Sequence, residues 1–380
     1  MPHTIGIDAR KLFDFGIGTY IKNLVEAIAR RDGENRYLLL TSAEGKEALD
    51  HLPSNFRCVI ERAPVYSVRE LTTLSWRLLR LGLDLYHSTH YVLPPFLPCR
   101  TVATVHDIIH LLYPEFLPNR LALLYAQRMI RHTLARADRV IAVSRNTRSD
   151  LLAVFDDVAG DKIEVVYNGV EEVYRRALPE AEIAARLSAL GVSSPYLLFV
   201  GNPKPHKNLD NVVKAYARAV ATAGIEPRLV CVGAKGQGDF KLRQRAESLG
   251  VGERLQLLGH VPQADLPALY QGAMLFLYPT LYEGFGLPVV EAMASGTPVV
   301  TSNTSALAEL AEGYAYLVDP LDVEKMAEAI ATCVADPDRR AALSELGRRR
   351  AADFEWDHAA ARTIEIYQRV LAPNGARGGA

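Results

Sequence analysis

Short apolar runs alternate along this chain with longer stretches in which apolar positions recur every three or four residues, and the alternation persists from Thr4 to Leu371. The first kind reads as strand and the second as amphipathic helix. In the first half the predicted strands are Thr4 to Asp8, Tyr37 to Thr41, Arg57 to Ile60, Leu83 to His87, Thr101 to Val105, Arg139 to Val143 and Ile163 to Val166. In the second half they are Tyr196 to Val200, Arg228 to Val232, Leu255 to Leu258, Leu275 to Tyr278, Pro298 to Thr301 and Ala315 to Val318. Strands separated by helices from end to end are the pattern of parallel sheets covered on both faces, so the fold class is α/β with two doubly wound domains. Between the halves, Glu171 to Ser194 turns charged and alanine-rich, with Pro179 and Pro195 near its ends, which predicts the hinge there. The expected domains are 1–185 and 190–352. Helical periodicity returns at Val323 to Cys333, Pro337 to Arg350 and Trp356 to Leu371, and the closing 373–380 is expected to be disordered.

At 380 residues, about half of them hydrophobic, the chain exceeds what one ordinary core supports. A formal net charge of −1 argues against bulk nucleic-acid binding, although arginines outnumber acids from Arg100 to Arg148. Within that region the amphipathic stretch Leu117 to Arg136 carries Arg120, Arg128, Arg131 and Arg136, which reads as a solvated helix face or as a peripheral membrane contact with anionic headgroups. Cys58, Cys99, Cys231 and Cys333 are far apart and form no C-x2-C pair, so neither a zinc site nor a disulfide framework is expected. There is no basic-then-apolar leader and no long apolar run, so the expected location is cytoplasmic, with contact at the inner membrane face as an option.

The candidate chemistry lies at strand ends. After the Met274 to Tyr278 run comes Glu283-Gly284-Phe285-Gly286-Leu287-Pro288-Val289-Val290-Glu291. Gly284 and Gly286 allow close backbone approach, Pro288 suits a first helical turn, and a helix from about Leu287 to Ala294 would aim its N-terminus at an anion. Glu283 and Glu291 then suit sugar or ribose hydroxyls, since an ionised carboxylate only accepts hydrogen bonds. The spacing therefore predicts a sugar-phosphate ligand. Gly16-Ile17-Gly18 follows the first strand and opens a helix with Ile21, Leu24, Val25 and Ile28, but it lacks the third glycine and ribose-binding acid of a dinucleotide fingerprint. Asn202-Pro203-Lys204-Pro205-His206-Lys207 puts cations after a strand, where a diphosphate leaving group would gain charge. His106-Asp107 ends another strand, as acid–base machinery or as a backbone-bonded histidine. Asn168-Gly169 is a turn signal, and the 233–238 glycine cluster reads as a mobile loop.

The string Glu283 to Val300 (EGFGLPVVEAMASGTPVV) resembles the donor-binding motif of retaining glycosyltransferases of family 4, which have the GT-B fold. Ala9 to Leu24 resembles the family's N-terminal glycine loop, and the last helix, 353–372, resembles the element that crosses back onto the N-terminal domain. The resemblance implies two Rossmann-like domains facing a central cleft: an N-terminal acceptor domain and a C-terminal nucleotide-sugar donor domain. It implies catalytic roles for His106, Lys207 and Glu283. Donor contacts would come from Gly16, Gly18, Asn202, Lys204, Val261, Gly284, Phe285, Gly286, Leu287 and Glu291, and Asp107 would lie on the acceptor side. Asn202 and His206 stand where the family commonly has arginine, which leaves Lys204 or His206 as the second cation. The implied reaction is transfer of a hexose, with mannose favoured, from a GDP- or UDP-linked donor to a glycan or lipid-linked acceptor in cell-surface polysaccharide synthesis. No metal or other cofactor is implied, and no Asp-x-Asp is read as a metal motif. The rival readings are a nucleotide-sugar epimerase of related fold, a nicotinamide-dependent oxidoreductase and a non-catalytic sugar-nucleotide binding subunit. The missing dinucleotide glycines count against the oxidoreductase, and the intact Glu283, Glu291 and Lys207 against the binding subunit.

Overall fold

Thirteen strands are assembled into two all-parallel sheets in the computed structural model, which describes residues 2–117, 119–233 and 237–372. The central part of the 233–238 glycine cluster and the tail 373–380 lie outside the described residues. The chain divides into two compact units, one of residues 1–169 together with the segment from Glu355, the other Val170–Phe354.

The first unit carries β1 (Thr4–Asp8), β2 (Arg36–Thr41), β3 (Phe56–Ile60), β4 (Leu85–Ser88), β5 (Arg100–Val105), β6 (Arg139–Ala142) and β7 (Ile163–Val165), in the order β3-β2-β1-β4-β5-β6-β7. The chain works outward from β1 to β3 and then returns to β4 beside β1. The carboxyl ends of β1 and β4 therefore flank the point where open α/β sheets hold ligands. The helix Trp356–Leu371 packs against the helix Phe15–Arg31 of this unit. It is pinned by a hydrogen bond of 2.6 Å between the Tyr367 hydroxyl and His87 Nδ1. His87 Nε2 bonds Thr104 at 2.8 Å, and Thr104 bonds the Tyr20 hydroxyl at 2.8 Å. Burial, helped by the nearby His106, pushes the His87 pKa down to about 3, so this chain of polar groups is neutral.

The second unit carries β8 (Tyr196–Val200), β9 (Arg228–Val232), β10 (Leu255–Leu258), β11 (Leu275–Tyr278), β12 (Val299–Ser302) and β13 (Tyr316–Val318), ordered β10-β9-β8-β11-β12-β13. Its switch point lies between β8 and β11, paired through Leu275 with Leu197 and Phe276 with Leu198. The expected hinge at 179–195 falls inside this unit. Helix Glu180–Ala189 occupies it and packs on Leu266–Gly272, where a Cβ at Gly272 would meet Leu187 at 2.8 Å and Ile183 at 3.3 Å. The charged outer face of that helix made it look like a linker, while a narrow Ile183–Leu187 stripe carries the packing.

Among the described residues no helix is long and apolar enough to cross a membrane. All four cysteines are free thiols. The chain's one Asp-x-Asp, Asp336-Pro337-Asp338, is a helix start: Asp336 accepts from the Arg339 N–H at 2.9 Å and caps Pro337–Ala351.

Candidate active site

At the switch point of the second unit, β8 runs into the loop Gly201–Lys204 and the 3-10 turn Pro205–Lys207, while β11 runs into Pro279–Glu283. The two loops are stapled together. Asn208, in the left-handed region at φ 61°, donates its amide to the Pro279 carbonyl at 2.9 Å and the Pro320 carbonyl at 2.6 Å. Leu281 N–H donates to the His206 carbonyl at 2.8 Å. Between the loops the Lys207 ammonium bonds the Glu283 carboxylate at 2.6 Å and the Tyr278 hydroxyl at 2.8 Å, and Tyr278 itself donates to Glu283 at 3.0 Å. Both charged side chains are mostly buried, at 15% and 13% exposure. Burial alone would weaken the ammonium's hold on its proton, but the Glu283 charge and Tyr278 outweigh it, and the pKa is raised. Lys207 is a fixed cation, oriented from two sides.

Glu283 N–H donates to Ser305 Oγ at 3.2 Å, which anchors the head of the loop that leads to helix Leu287–Ala294. Gly286 precedes that helix at φ 116°, and a Cβ there would meet Leu307 at 2.4 Å, so both conformation and space require glycine. Pro288 lies in the first turn, where its missing N–H costs nothing. Gly284 is buried, and the Phe285 ring packs edge-on against Phe354 at 5.7 Å, so any ligand contact from Phe285 comes through its backbone. Glu291 lies one turn into the helix and accepts from Tyr270 at 2.9 Å. Burial pushes its pKa up to about 7, with Glu171 adding to the rise and the Tyr270 bond opposing it. Glu283 and Glu291 therefore differ: the first is held by a cation, the second by a neutral hydroxyl. The Asn202 amide oxygen is buried with no hydrogen-bond partner. Lys204 is exposed, and the Val261 side chain is buried, leaving its backbone as the part able to meet a ligand.

In the first unit the predicted glycine loop is helical. The helix starts at Phe15, and Gly16 and Gly18 lie in its first turn. Gly18 is required by close approach, since a Cβ would sit 2.2 Å from the Leu12 carbonyl oxygen; Gly16 is exposed. Glycines followed by a helical period read equally well as a loop opening a helix, and the structure puts both glycines inside the helix. His106 follows β5 and donates Nε2–H to the Thr89 carbonyl at 2.9 Å, leaving Nδ1 as its acceptor nitrogen. Burial lowers its pKa to about 4, with the Thr89 bond opposing and His90 and Lys11 reinforcing. Near pH 7 it is neutral, suited to contacting hydroxyls rather than to carrying a charge. Asp107 turns back to accept from the Ile109 N–H at 3.0 Å.

Sequence reasoning missed Tyr278, which it read only as the end of a strand, and Tyr270; their hydroxyls orient Lys207, Glu283 and Glu291. It also missed a buried ionic network at the carboxyl end of β1. Arg10 bonds Asp8 through two nitrogens at 2.9 and 2.5 Å and Glu70 at 2.6 Å, and His90 bonds Glu70 at 3.0 Å. Asp8, Glu70 and His90 lie as close as metal ligands would, but Arg10 already bonds both carboxylates. Burial alone would raise the Asp8 pKa; the Arg10 charge holds it well below the carboxylate range.

Known proteins are similar to this chain along nearly its whole length. The family model "Glycosyl transferases group 1" matches residues 186–350, and "Glycosyltransferase Family 4" matches 16–173. O-antigen chain mannosyltransferase B of Escherichia coli is 29% identical over 373 residues, covering 93% of this chain and 96% of that protein. A D-inositol 3-phosphate glycosyltransferase of Salinispora arenicola is 33% identical over 258 residues, 64% of this chain and 57% of that protein. Among solved structures, Anabaena Alr3699/HepE in complex with UDP and glucose superposes with a TM-score of 0.77 at 20% identity, covering 97% of this chain and all of that one. With a donor-type motif at the switch point of its second sheet and both family models matched, the chain belongs to the family 4, group 1 glycosyltransferases and has the GT-B fold.

Proposed function

We propose that this glycosyltransferase moves mannose, with retention of configuration, from a nucleoside diphosphate sugar to a hydroxyl of a glycan or lipid-linked acceptor in cell-surface polysaccharide synthesis. The observation that carries the reading is the Lys207–Glu283–Tyr278 cluster beside the N-terminus of helix Leu287–Ala294. Departure of a nucleoside diphosphate builds negative charge on its phosphate oxygens, and a preoriented ammonium with a helix N-terminus stabilises that charge more in the transition state than in the ground state. Lys207 and the helix end then serve the diphosphate, and the Glu283 carboxylate with the Gly284–Gly286 backbone serves the donor sugar. Glu291 accepts from the ribose hydroxyls. These roles need no metal ion. Neutral His106 offers its acceptor nitrogen to a sugar hydroxyl. Glu283 is already engaged by Lys207 and Tyr278, which favours a front-face route, in which the departing phosphate takes the acceptor's proton, over attack by Glu283 on the sugar. A covalent glycosyl adduct trapped on Glu283 would sink that route.

The mannose assignment is supported by the E. coli O-antigen relative, which is a mannosyltransferase. The Anabaena structure holds UDP and glucose, which favours UDP-glucose as the second donor to try. A screen of nucleotide sugars for donor hydrolysis tests the proposal: GDP-mannose is expected to turn over fastest, and a best rate with another sugar overturns the donor assignment. Donor epimerised without transfer would return the epimerase reading. A peripheral membrane contact through helix Arg120–Arg136 is part of the proposal, supported by Leu121 at 76% exposure on an acid-free helix. Co-sedimentation with anionic vesicles checks it.

A further inference from the structure

Tyr66 lies at the carboxyl edge of the first unit's sheet, the proposed chemistry leaves it unused, and its backbone conformation is unusual. Its φ is 58°, in the left-handed region that bulky L-residues avoid. What holds it there is visible. The Tyr66 N–H donates to Glu70 Oε2 at 2.6 Å, the other Glu70 oxygen accepts from Arg10 at 2.6 Å and from His90 at 3.0 Å, and Arg10 is locked on Asp8 at the end of β1. Arg10 also donates to the Ala63 carbonyl at 3.0 Å, which fixes the segment just before Tyr66. A largely buried ionic network thus holds the pose of one partly exposed tyrosine.

The pose places the ring against Tyr91, stacked at 5.5 Å, and edge-to-face with His90 at 5.6 Å, while 39% of the residue stays exposed. The Lys11 ammonium lies 3.3 Å from the Tyr66 hydroxyl and 4.7 Å from the ring centre. Its counter-ion is Asp14 at 2.7 Å, and the two differ sharply in exposure: 7% for the lysine side chain and 52% for the aspartate. An exposed carboxylate beside a sheltered ammonium offers an acceptor and a donor side by side, the pair that two neighbouring hydroxyls of a sugar ring satisfy, and an aromatic ring next to it suits the sugar's C–H surface. The same edge carries His106 and Asp107.

We propose that Tyr66, Lys11 and Asp14 form a recognition subsite for a neutral pyranose of the acceptor, and that Asp8, Arg10 and Glu70 are positioning residues that hold Tyr66 in place. The inference rests on the glycosyltransferase reading. Tyr66→Gly removes the ring and suits the left-handed backbone, Tyr66→Ala removes the ring only, and Asp14→Ala changes an exposed side chain. With GDP-mannose as donor and octyl α-mannoside as the acceptor probe, all three are expected to raise the acceptor KM at least tenfold, with the donor KM unchanged. Tyr66→Gly is expected to melt at a higher temperature than Tyr66→Ala. Unchanged acceptor KM in Asp14→Ala and in whichever Tyr66 variant folds overturns the subsite, and an Ala variant as stable as the Gly variant overturns the held conformation. Should the wild-type protein transfer from no nucleotide sugar, the enzymatic reading fails. The subsite is then decided by saturation-transfer NMR of octyl α-mannoside, whose signal is lost in Asp14→Ala if the proposal holds and kept if it does not.

Discussion

Replacing Lys207 by methionine keeps the length of the side chain and removes its charge, which separates the two jobs assigned to that ammonium. Structurally, the variant loses a charge-assisted bond to Glu283 and a bond to Tyr278, and leaves the carboxylate with the Tyr278 hydroxyl as its remaining side-chain partner within the cluster. Breaking a fully buried pair costs about 3–5 kcal/mol and losing one charge-assisted bond about 1.5–3 kcal/mol. With each partner still slightly exposed, the lower range applies, and Lys207→Met is expected to lose about 2 kcal/mol. Catalytically, a preoriented donor facing developing charge contributes about 3 kcal/mol, so kcat should fall on the order of a hundredfold. Glu283→Gln is expected to slow turnover by about tenfold through the donor sugar. In the double variant the two perturbations should behave differently. Stability is coupled, because the pair no longer contains an unmatched charge, so the loss should be smaller than the sum by roughly 1–2 kcal/mol. The rate effects should multiply to about a thousandfold, because the cation acts on the phosphate and the carboxylate on the sugar. Urea unfolding gives the first quantity, and release of nucleoside diphosphate at saturating donor gives the second. A double variant no slower than Lys207→Met would mean that Lys207 only positions Glu283, and the leaving-group role would be refuted.

The raised pKa of Glu291 means that its ionised form is disfavoured by folding, so its contribution to stability is present below about pH 4.5 and is lost as pH rises through about 7. Glu291→Gln should therefore be more stable than the parent at pH 8, by up to about 3 kcal/mol, in thermal melts, while the parent's donor KM should fall between pH 6 and 8 as the carboxylate forms and the variant's should stay flat. His87 and His106 have lowered pKa values of about 3 and about 4, so the unfolded chain binds more protons than the folded one below pH 6.5. Each should cost about 2 kcal/mol of stability by pH 5, measured by denaturation across that range, and His87→Gln should flatten the slope. Gly18→Ala, with a Cβ 2.2 Å from the Leu12 carbonyl oxygen, should lose about 2–3 kcal/mol and melt well below the parent. Equal melting temperatures would show that the first helical turn shifts freely.

Much of the fold was legible in order along the chain. Strands such as Tyr196–Val200 and Leu255–Leu258, and the helices Leu287–Ala294 and Trp356–Leu371, were readable because apolar period and caps are local properties. The start of helix Phe15–Arg31 was not, since two glycines weaken the helical signal and only the approach of Leu12 explains Gly18. Helix Glu180–Ala189 hid behind its charged face in the same way.

The sequence by itself determined that two parallel sheets form and that one loop, Glu283 to Glu291, carries a glycine-gated helix start with carboxylates at either end. Only the tertiary structure decided which groups those carboxylates meet. Strand β11 lies beside β8 rather than beside its sequence neighbour β10, and this pairing brings Glu283 to Lys207, 76 positions away, at 2.6 Å. Glu291 faces a tyrosine instead, and the Arg10 network ties Asp8 to Glu70 on a segment with no periodic signal. A hydrophobic period is written in neighbouring residues, whereas the partner of a charge is set by the order in which strands are laid into a sheet.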